Sequence, residues 1–288
     1  MSDTNPYRPW VVRFAELLQK DAVAAIDPTT LPAPAAGSAD APRALIFSPH
    51  PDDETIIGGL PLRLARELDY RIENVAATLG SRRERRGPRW QELQHACAYL
   101  DFGLIATAAE GLEQINPTGR QENPAQWSAS VAVIADILRQ QRPAVIFLPH
   151  ADDWNSTHIG THLLVLEALQ QLPADFACQV VETEFWGAMD SPNLLVSSTP
   201  EDVADLVAAL SLHVGEVARN PYHLRLPGWM IDNVRRGGEL VGGQGTAAPD
   251  CPFATLYRLR RWRDGELQPV LEGGRFIITG EELHALFL

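Results

Sequence analysis

Hydrophobic and polar positions along the chain form repeated blocks, in which a short apolar run precedes an amphipathic stretch. The runs at 44–47, 75–79 and 144–148 are typical of buried strands. Apolar residues recur at helical spacing over 55–69 and 125–140, which predicts helices between those strands. Strands that alternate with helices of this length form βαβ units, so we expect an α/β fold with a mostly parallel sheet flanked by helices.

The start of the chain has a different pattern. Apolar residues from Val11 to Ala22 recur at helical spacing and predict a short amphipathic helix. The stretch 28–42 combines prolines with small residues, which predicts a linker without regular structure. We therefore expect an N-terminal helix and a Pro/Ala-rich linker over 1–42, followed by a single α/β domain over 43–288.

The block pattern continues past the third strand and then weakens. It predicts a helix over 158–171, a strand over 178–186 and a helix over 201–218. The glycine-rich stretch 235–245 predicts a flexible loop, and the alternation over 255–262 predicts a half-exposed edge strand. The expected C-terminal part is thus a less regular extension of the domain.

The charge balance excludes one class of partner. Lys and Arg total 24 against 37 Asp and Glu, a formal net charge of −13. A nucleic-acid-binding protein needs a positive surface to displace counterions from phosphates, so we expect no such partner. The basic cluster over 82–86 is the one local exception.

The sequence also gives no sign of a membrane or an oxidising compartment. No stretch has the roughly 18 uninterrupted apolar residues of a membrane helix, and the first residues lack the basic start and apolar run of a secretory signal. Cys97, Cys178 and Cys251 are widely spaced and suggest neither a disulfide framework nor a thiolate zinc cluster. We therefore expect a cytoplasmic protein with no membrane partner.

A group of polar residues follows the first predicted strand. Ser-Pro-His-Pro-Asp-Asp-Glu occupies 48–54, so His50, Asp52 and Asp53 lie at the carboxyl end of that strand. Ligands of open parallel sheets bind at such ends, and the two prolines stiffen the turn. The simpler alternative is that one Asp caps the next helix while His50 binds the loop backbone.

A second group follows the third predicted strand. His150, Asp152 and Asp153 are followed by His158 and, four residues later, by His162. Helix capping and local pairing would also explain these residues. Together, however, two loops rich in His and Asp at one edge of a sheet suggest a metal site, and two His with one carboxylate are a common ligand set of catalytic zinc. Zinc lowers the pKa of a bound water to about 7, and a nearby carboxylate can take its proton, so the implied reaction is hydrolysis.

The motif over 48–54 resembles the opening motif of the LmbE-like, or PIG-L, family of zinc-dependent N-acetylglucosamine deacetylases. The resemblance continues in Thr-Leu-Gly over 78–80, in the Arg, Glu, Ala and Leu spacing over 89–100, and in the loop before His158, so that it spans about 43–170. It implies a Rossmann-like sheet, a bound Zn²⁺, and removal of an N-acetyl or related N-acyl group from an amino sugar or its conjugate.

The resemblance also implies roles for individual residues. It makes His50, Asp53 and His158 the zinc ligands and Asp52 the general base. It suggests substrate contacts for Arg89 and Glu54. On spacing alone, Arg89 is as well explained by an ion pair with Glu92, and Glu54 by helix capping.

One departure from the family pattern affects the mechanism. Many relatives read His-Pro-Asp-His where this chain reads Asn-Ser-Thr-His over 155–158. The missing His is the group thought to stabilise the oxyanion in the family. Several residues remain as candidates for that role: Asn155, His150, His162 and His213.

Two other classes of function remain open. Asp52 and Asp53 are also suited to Mg²⁺, with the arginines over 82–86 binding phosphate, which would make the protein a magnesium-dependent phosphoester hydrolase. The loss of the His at 155 would also suit a catalytically inactive relative that binds a sugar or nucleotide. If the arginine cluster recognises substrate, that substrate is acidic.

Overall fold

A computed structural model describes residues 5–19, 26–31 and 40–287. Helix α1 spans Arg8–Leu17, and none of its residues is buried. The predicted helical position Ala22 and most of the predicted linker lie outside the described residues. The division of the chain between residues 42 and 43 stays a prediction.

Nine strands in the described part of the chain form one sheet, in the order β3-β2-β1-β4-β5-β7-β6-β9, with β8 paired to β7. The pairs among β1 to β5 are parallel, whereas β7 is antiparallel to both β5 and β6. This confirms the expected α/β fold with a mostly parallel sheet. The strands are β1 (Arg43–Ser48), β2 (Arg71–Ala76), β3 (Gly103–Ala106), β4 (Val145–Pro149), β5 (Cys178–Thr183), β6 (Leu194–Ser198), β7 (Phe253–Arg263), β8 (Glu266–Pro269) and β9 (Arg275–Ile277).

Helices cover both faces of the sheet. After α1 they are α2 (Asp53–Ile56), α3 (Leu60–Leu68), α4 (Arg83–Leu100), α5 (Pro117–Glu122), α6 (Pro124–Gln141), α7 (Ser156–Leu169), α8 (Pro200–Ser211), α9 (Val214–Arg219), α10 (Leu226–Gly242) and α11 (His284–Phe287). A 3-10 helix, Tyr222–Arg225, lies between α9 and α10. In the part of the chain that the structure describes, no helix is long and apolar enough to cross a membrane.

The alternation of side chains along the strands explains the two main cores. In β1, Ala44 and Ile46 pack into the core that includes α3, α4 and α8, while Leu45 and Phe47 pack into the core of α6 and α7. Successive side chains of a strand point to opposite faces, so a strand covered on both sides has no polar alternation. This is why β1 appears in the sequence as a continuous apolar run.

The helix predicted over 55–69 is two helices, α2 and α3, separated at Gly58. Gly58 has φ +92°, a left-handed conformation that residues with a side chain rarely adopt. A Cβ at this position would lie 2.6 Å from Tyr257 Oη, which itself donates a hydrogen bond to the carbonyl of Ile57. The break therefore fixes α2 as a single short turn directly after β1.

Four further expectations for individual segments were wrong. The helix predicted over 201–218 is two helices, α8 and α9. The second strand ends at Ala76 instead of running over 75–79. Most of the predicted loop 235–245 belongs to helix α10. Gly237 is needed there because α10 packs closely against the sheet, and a Cβ at this position would lie 2.2 Å from Leu195. The predicted edge strand over 255–262 is β7, an inner strand, so the C-terminal part is a regular continuation of the sheet.

The strand order places the polar loops of the sequence at one point. The chain moves outward from β1 through β2 to β3, then returns to the other side of β1 with β4. The order therefore reverses between β1 and β4, and ligands of open α/β sheets bind outside the carboxyl ends of strands at such a reversal. The loops that follow β1 and β4 carry His50 and His158, respectively.

Candidate active site

Three predicted ligand residues converge at the reversal point. His50 follows β1, Asp53 begins α2, and His158 lies in the first turn of α7. One donor atom from each lies within 4.8 Å of the donors of the other two. Asp53 Oδ2 is 3.3 Å from His158 Nε2 and 3.4 Å from His50 Nδ1, and it accepts a hydrogen bond from the backbone N–H of His50.

The surroundings of His158 suit a metal ligand. Its side chain is fully buried, and neither ring nitrogen has a hydrogen-bond partner among the described residues. The Nδ1 atom is 3.6 Å from Asp153 Oδ2, and the ring packs against the edge of Phe185 with a centroid distance of 4.9 Å. A buried imidazole that faces two carboxylates fits a cation between His158, His50 and Asp53, with Asp153 orienting the ring from the far side. The donor set therefore fits the implied Zn²⁺.

The electrostatics of the three residues are those of a preformed cation site. Burial raises the pKa of Asp53, but His158 and His50 outweigh it and hold that pKa below its usual value. Burial lowers the pKa of His158, but Asp53 and Asp153 outweigh it and raise that pKa to about 10. The carboxylate is thus ionised, and without a metal a proton on His158 neutralises part of its charge.

Asp52 lies beside this group in a strained conformation. Its φ of 119° is in the left-handed region, which is costly for a residue with a side chain and occurs mainly where function requires it. Burial and the neighbouring Asp53 raise the pKa of Asp52 to about 7, while His213, Tyr222 and Arg89 oppose the shift. A carboxylate with this pKa is well matched to accepting a proton near neutral pH.

Glu54 lies beneath Asp52 and is fully buried. One of its oxygens accepts a hydrogen bond from the backbone N–H of Asp52 at 2.9 Å, and the other is 2.6 Å from His213 Nε2. Glu54 is not among the residues that line the pocket at this site. The structure therefore does not bring it to the surface where a substrate contact was predicted.

A pocket of about 650 Å³ opens above the group, within the usual size range of small-molecule sites. Four arginines of this pocket form what we call the cationic wall: Arg82, Arg85, Arg89 and Arg219. The carboxylate of Glu216 contacts three of them, at 3.0 Å from Arg85, 3.1 Å from Arg89 and 2.6 Å from Arg219. Among the described residues, no hydrogen bond or ion pair involves the Arg82 side chain, and four arginines face the single carboxylate of Glu216, so the wall keeps positive charge for a ligand.

The structure divides the basic cluster over 82–86 and resolves the contacts of Arg89. Arg83 and Arg86 bind Glu113 outside the pocket, whereas Arg82 and Arg85 line it. Arg89 pairs with Glu216 and not with Glu92, whose Oε1 accepts a hydrogen bond from the backbone N–H of Gly215. Arg89 thus lies on the pocket surface, where a substrate contact is possible.

Among the four candidates for the missing His, Asn155 is the one that lines the pocket. Its Oδ1 caps α7 by accepting a hydrogen bond from Thr157 N at 2.8 Å, which leaves the Nδ2 group as a donor. His150 is fully buried and contacts Gly187 O through Nε2, and His162 contacts Pro149 O through Nδ1. His213 contacts Glu54, so all three histidines serve internal contacts.

Several residues of the site carry no recognisable signal in the sequence. They come from the loop after β5, from α9 and from the following 3-10 helix: Trp186, Glu216, Arg219, Asn220 and Tyr222. Tyr222 Oη donates a hydrogen bond to Asp52 Oδ2, and the Trp186 ring packs on the Tyr222 ring at a centroid distance of 5.9 Å. Only the tertiary fold brings these residues near the loops after β1 and β4.

Comparison with known proteins gives a family match over part of the chain. Residues 45–169 match the family described as PIG-L, GlcNAc-PI de-N-acetylase. This match covers less than half of the chain. The segment contains both loops of the site and all three candidate ligands, and it ends before β5.

One curated relative of this chain is the 1D-myo-inositol 2-acetamido-2-deoxy-alpha-D-glucopyranoside deacetylase of Mycobacterium leprae (strain Br4923). The two are 26% identical over 174 residues, an alignment that covers 51% of this chain and 56% of the relative. The chain thus spans about half the length of the curated relative that it matches.

Two solved structures show the same fold. The N,N'-diacetylchitobiose deacetylase from Pyrococcus horikoshii has a TM-score of 0.56 and 15% identity, over 94% of this chain and 99% of that one. GalB, the 4-carboxy-2-hydroxymuconate hydratase from Pseudomonas putida KT2440, has a TM-score of 0.55 and 16% identity, over 76% of this chain and 95% of that one. At these identities the likeness establishes the fold alone, and the two names show that the fold supports different reactions.

Proposed function

We propose that this protein is a metal-dependent hydrolase that removes an N-acetyl or related N-acyl group from an amino sugar or its conjugate. The observation that carries the proposal is the convergence of His50, Asp53 and His158 at the strand reversal, with Asp52 beside them in a strained backbone conformation. The family match and the deacetylase named as the curated relative support the same reaction.

The metal that we propose is Zn²⁺, held by His50, Asp53 and His158. Two imidazoles and one carboxylate are a common ligand set of catalytic zinc, which retains an open position, whereas Mg²⁺ prefers oxygen ligands. When bound, zinc supplies a Lewis acid that lowers the pKa of water to about 7.

The cytoplasmic location stays a prediction from the sequence.

Asp52 and Asn155 then divide the remaining chemistry. Asp52 accepts a proton from water as the water oxygen bonds to the carbonyl carbon of the amide. Asn155 Nδ2 donates a hydrogen bond to the carbonyl oxygen as negative charge develops there. Asp52 returns the proton to the nitrogen as the C–N bond breaks, so that a carboxylic acid and a free amine leave.

The pocket suggests an acidic amino-sugar conjugate. Trp154 and Trp186 line it and offer apolar rings against which a sugar can pack, and Arg89 can donate to hydroxyl groups. The cationic wall favours a phosphate or carboxylate on the part of the substrate that lies away from the metal. This makes a phosphorylated, nucleotide-linked or carboxylated sugar the preferred class.

The decisive experiment combines metal analysis with product analysis. Protein purified without chelator should contain about one zinc per chain, the number expected for one set of three ligands, and should release acetate from N-acetylglucosamine derivatives. Magnesium with phosphate release would instead support a phosphoester hydrolase, and metal with no turnover an inactive sugar- or nucleotide-binding relative. Addition of water to an unsaturated acid, without amide cleavage, would place the protein with the hydratase.

The acidic preference has a matched pair of variants. Arg82→Gln should raise the KM for N-acetylglucosamine 1-phosphate about 3- to 10-fold, an effect weakened by salt, and should leave the KM for a neutral methyl glycoside unchanged. Arg83→Gln removes the same charge from a residue outside the pocket and should alter neither KM. Equal KM values of the unmodified enzyme for both substrates at low salt would contradict the preference.

A further inference from the structure

A short segment beyond the family match contacts the proposed base directly at one end and through Glu54 at the other. We call residues 213–222 the capping segment. From one end, His213 Nε2 lies 2.6 Å from Glu54 Oε1, and the other oxygen of Glu54 accepts a hydrogen bond from the backbone N–H of Asp52. From the other end, Tyr222 Oη donates a hydrogen bond to Asp52 Oδ2.

From this geometry we infer that Tyr222 is a positioning residue for Asp52, which selects the oxygen of Asp52 that meets the attacking water. The inference rests on the proposed function, in which Asp52 accepts the proton. Tyr222 lies outside residues 45–169, so the family match assigns it no role.

The two oxygens of Asp52 are not equivalent in this arrangement. Tyr222 holds Oδ2, and no described residue donates a hydrogen bond to Oδ1. An aspartate carboxylate turns readily about its last side-chain bond, so without a fixed donor it would sample several orientations. The Tyr222 hydroxyl restricts this rotation and leaves Oδ1 as the oxygen without a donor among the described residues.

The backbone of Asp52 needs external support because its φ of 119° is unfavourable for a residue with a side chain. Glu54 provides this support from below through the Asp52 N–H, and His213 holds Glu54. Tyr222 itself is held by the ring contact with Trp186. The capping segment therefore fixes the backbone of the base through His213 and its carboxylate through Tyr222.

A kinetic test uses zinc-loaded protein and a second Tyr-to-Asp hydrogen bond of the chain as the control. Tyr222→Phe should lower kcat about 10- to 100-fold, the cost of a misplaced catalytic group, with KM and zinc content unchanged. In an Asp52→Asn background, Tyr222→Phe should cause no further loss of kcat. Tyr99→Phe removes a hydroxyl that donates to Asp205 away from the pocket, and it should change none of these quantities.

The inference would be overturned if Tyr222→Phe lowered kcat by the same factor in the wild-type and Asp52→Asn backgrounds, or if it left the kcat of the wild-type background unchanged. A structural readout separates it from the proposed function. In crystals of Tyr222→Phe the Asp52 carboxylate should turn away from its wild-type orientation while the Glu54 contact to the Asp52 N–H persists, and an unmoved carboxylate overturns the positioning role. If the wild type releases no acetate, the proposed function fails and the crystal comparison alone decides the role of Tyr222.

Discussion

The pocket is built by two regions of the chain that contribute in different ways. Residues 45–169 provide the parallel strands β1 to β4 and the two loops that hold the candidate ligands. The residues after 178 provide Glu216 and Arg219, which line the same pocket, and Tyr222, which donates a hydrogen bond to Asp52. The two regions join where Glu216 binds Arg85 and Arg89 of α4. Metal binding is thus separable from the environment of the base and the substrate, which gives each region its own experimental signature.

The largest effect should come from a ligand in the first region. His158→Ala removes a buried donor, so the protein should lose most of its zinc and all measurable turnover. The loss in zinc affinity should exceed the roughly 10- to 100-fold that follows removal of a residue that only supports a ligand. Elemental analysis after gel filtration measures the metal. His162→Ala is the control, and zinc that stays bound to His158→Ala but not to His162→Ala would show that the ligand is wrongly assigned.

The second prediction separates chemistry from metal binding within that first region. Asp52→Asn should keep its zinc and lose about 10²- to 10⁴-fold in kcat, because an amide cannot accept the proton of water. Parallel measurements of zinc content and acetate release test this. A near-normal kcat in the zinc-loaded variant would remove Asp52 from the role of base.

The third prediction concerns stability in the second region. Glu182 on β5 is fully buried and binds Arg258 and Arg260 of β7, so Glu182→Gln should lower the free energy of unfolding by about 3 kcal/mol while zinc content stays unchanged. Urea unfolding measures the loss. Asp232→Asn, which breaks an exposed pair with Arg235, is the control and should cost at most about 1 kcal/mol.

The pH dependence of this contribution has a definite sign. Burial raises the pKa of Glu182, but the two arginines outweigh it and lower that pKa below its unfolded value of about 4.3. The stabilisation is therefore present above about pH 4.3 and is lost as the pH falls through the lower folded-state pKa. The difference in free energy of unfolding between wild type and Glu182→Gln should therefore be smaller at pH 3 than at pH 7. If it is the same at both pH values, the ion pairs are not the source of the stabilisation.

The fourth prediction tests the departure at position 155. Asn155→Ala should lower kcat about 10²- to 10³-fold with zinc bound, since one donor to the oxyanion is lost. Part of any loss in stability will reflect the missing cap of α7, so Asn155→Asp, which keeps a capping oxygen but lacks the donor, is the matched variant. An unchanged kcat in both would move the search to His150, His162 and His213.

The smallest effect concerns metal uptake. His158 has a pKa of about 10 in the metal-free protein, and a metal binds only the neutral ring, so uptake displaces a proton. Apparent zinc affinity should therefore rise by up to about tenfold per pH unit between about pH 6 and 8. Competition with a chelator of known pH dependence measures the slope. A flat profile, or no proton release in calorimetry, would contradict the protonated state of His158.

The sequence is sufficient to predict those site residues that directly follow a buried strand. His50 and Asp53 follow a buried run directly, and His158 begins the helix after another, so strand order alone brings them together. Their role as zinc ligands stays a prediction. Tyr222 has no such context, because it reaches Asp52 only when the capping segment folds over a sheet edge more than 160 residues away in the chain, a separation that periodicity does not encode.

The wrong expectations for the C-terminal part also have a physical origin. Alternating arginines in β7 resemble a solvent-exposed face, but Arg258 and Arg260 bind the buried Glu182 of the neighbouring strand. The glycines near 237 resemble a loop, but Gly237 allows α10 to approach Leu195 of the sheet. Contacts with residues distant in the sequence thus bury β7 and stabilise α10, although local composition suggested an exposed strand and a loop.

The central place of β7 has a consequence for synthesis of the protein on the ribosome. β5 and β6 do not pair with each other, and each forms hydrogen bonds with β7, whose residues Phe253–Arg263 emerge some 55 or more residues after β6. Until those residues leave the exit tunnel, one edge of β5 and both edges of β6 stay unpaired, since β9 comes later still. Nascent chains halted before residue 253 should therefore be the species most prone to aggregate and most dependent on chaperones.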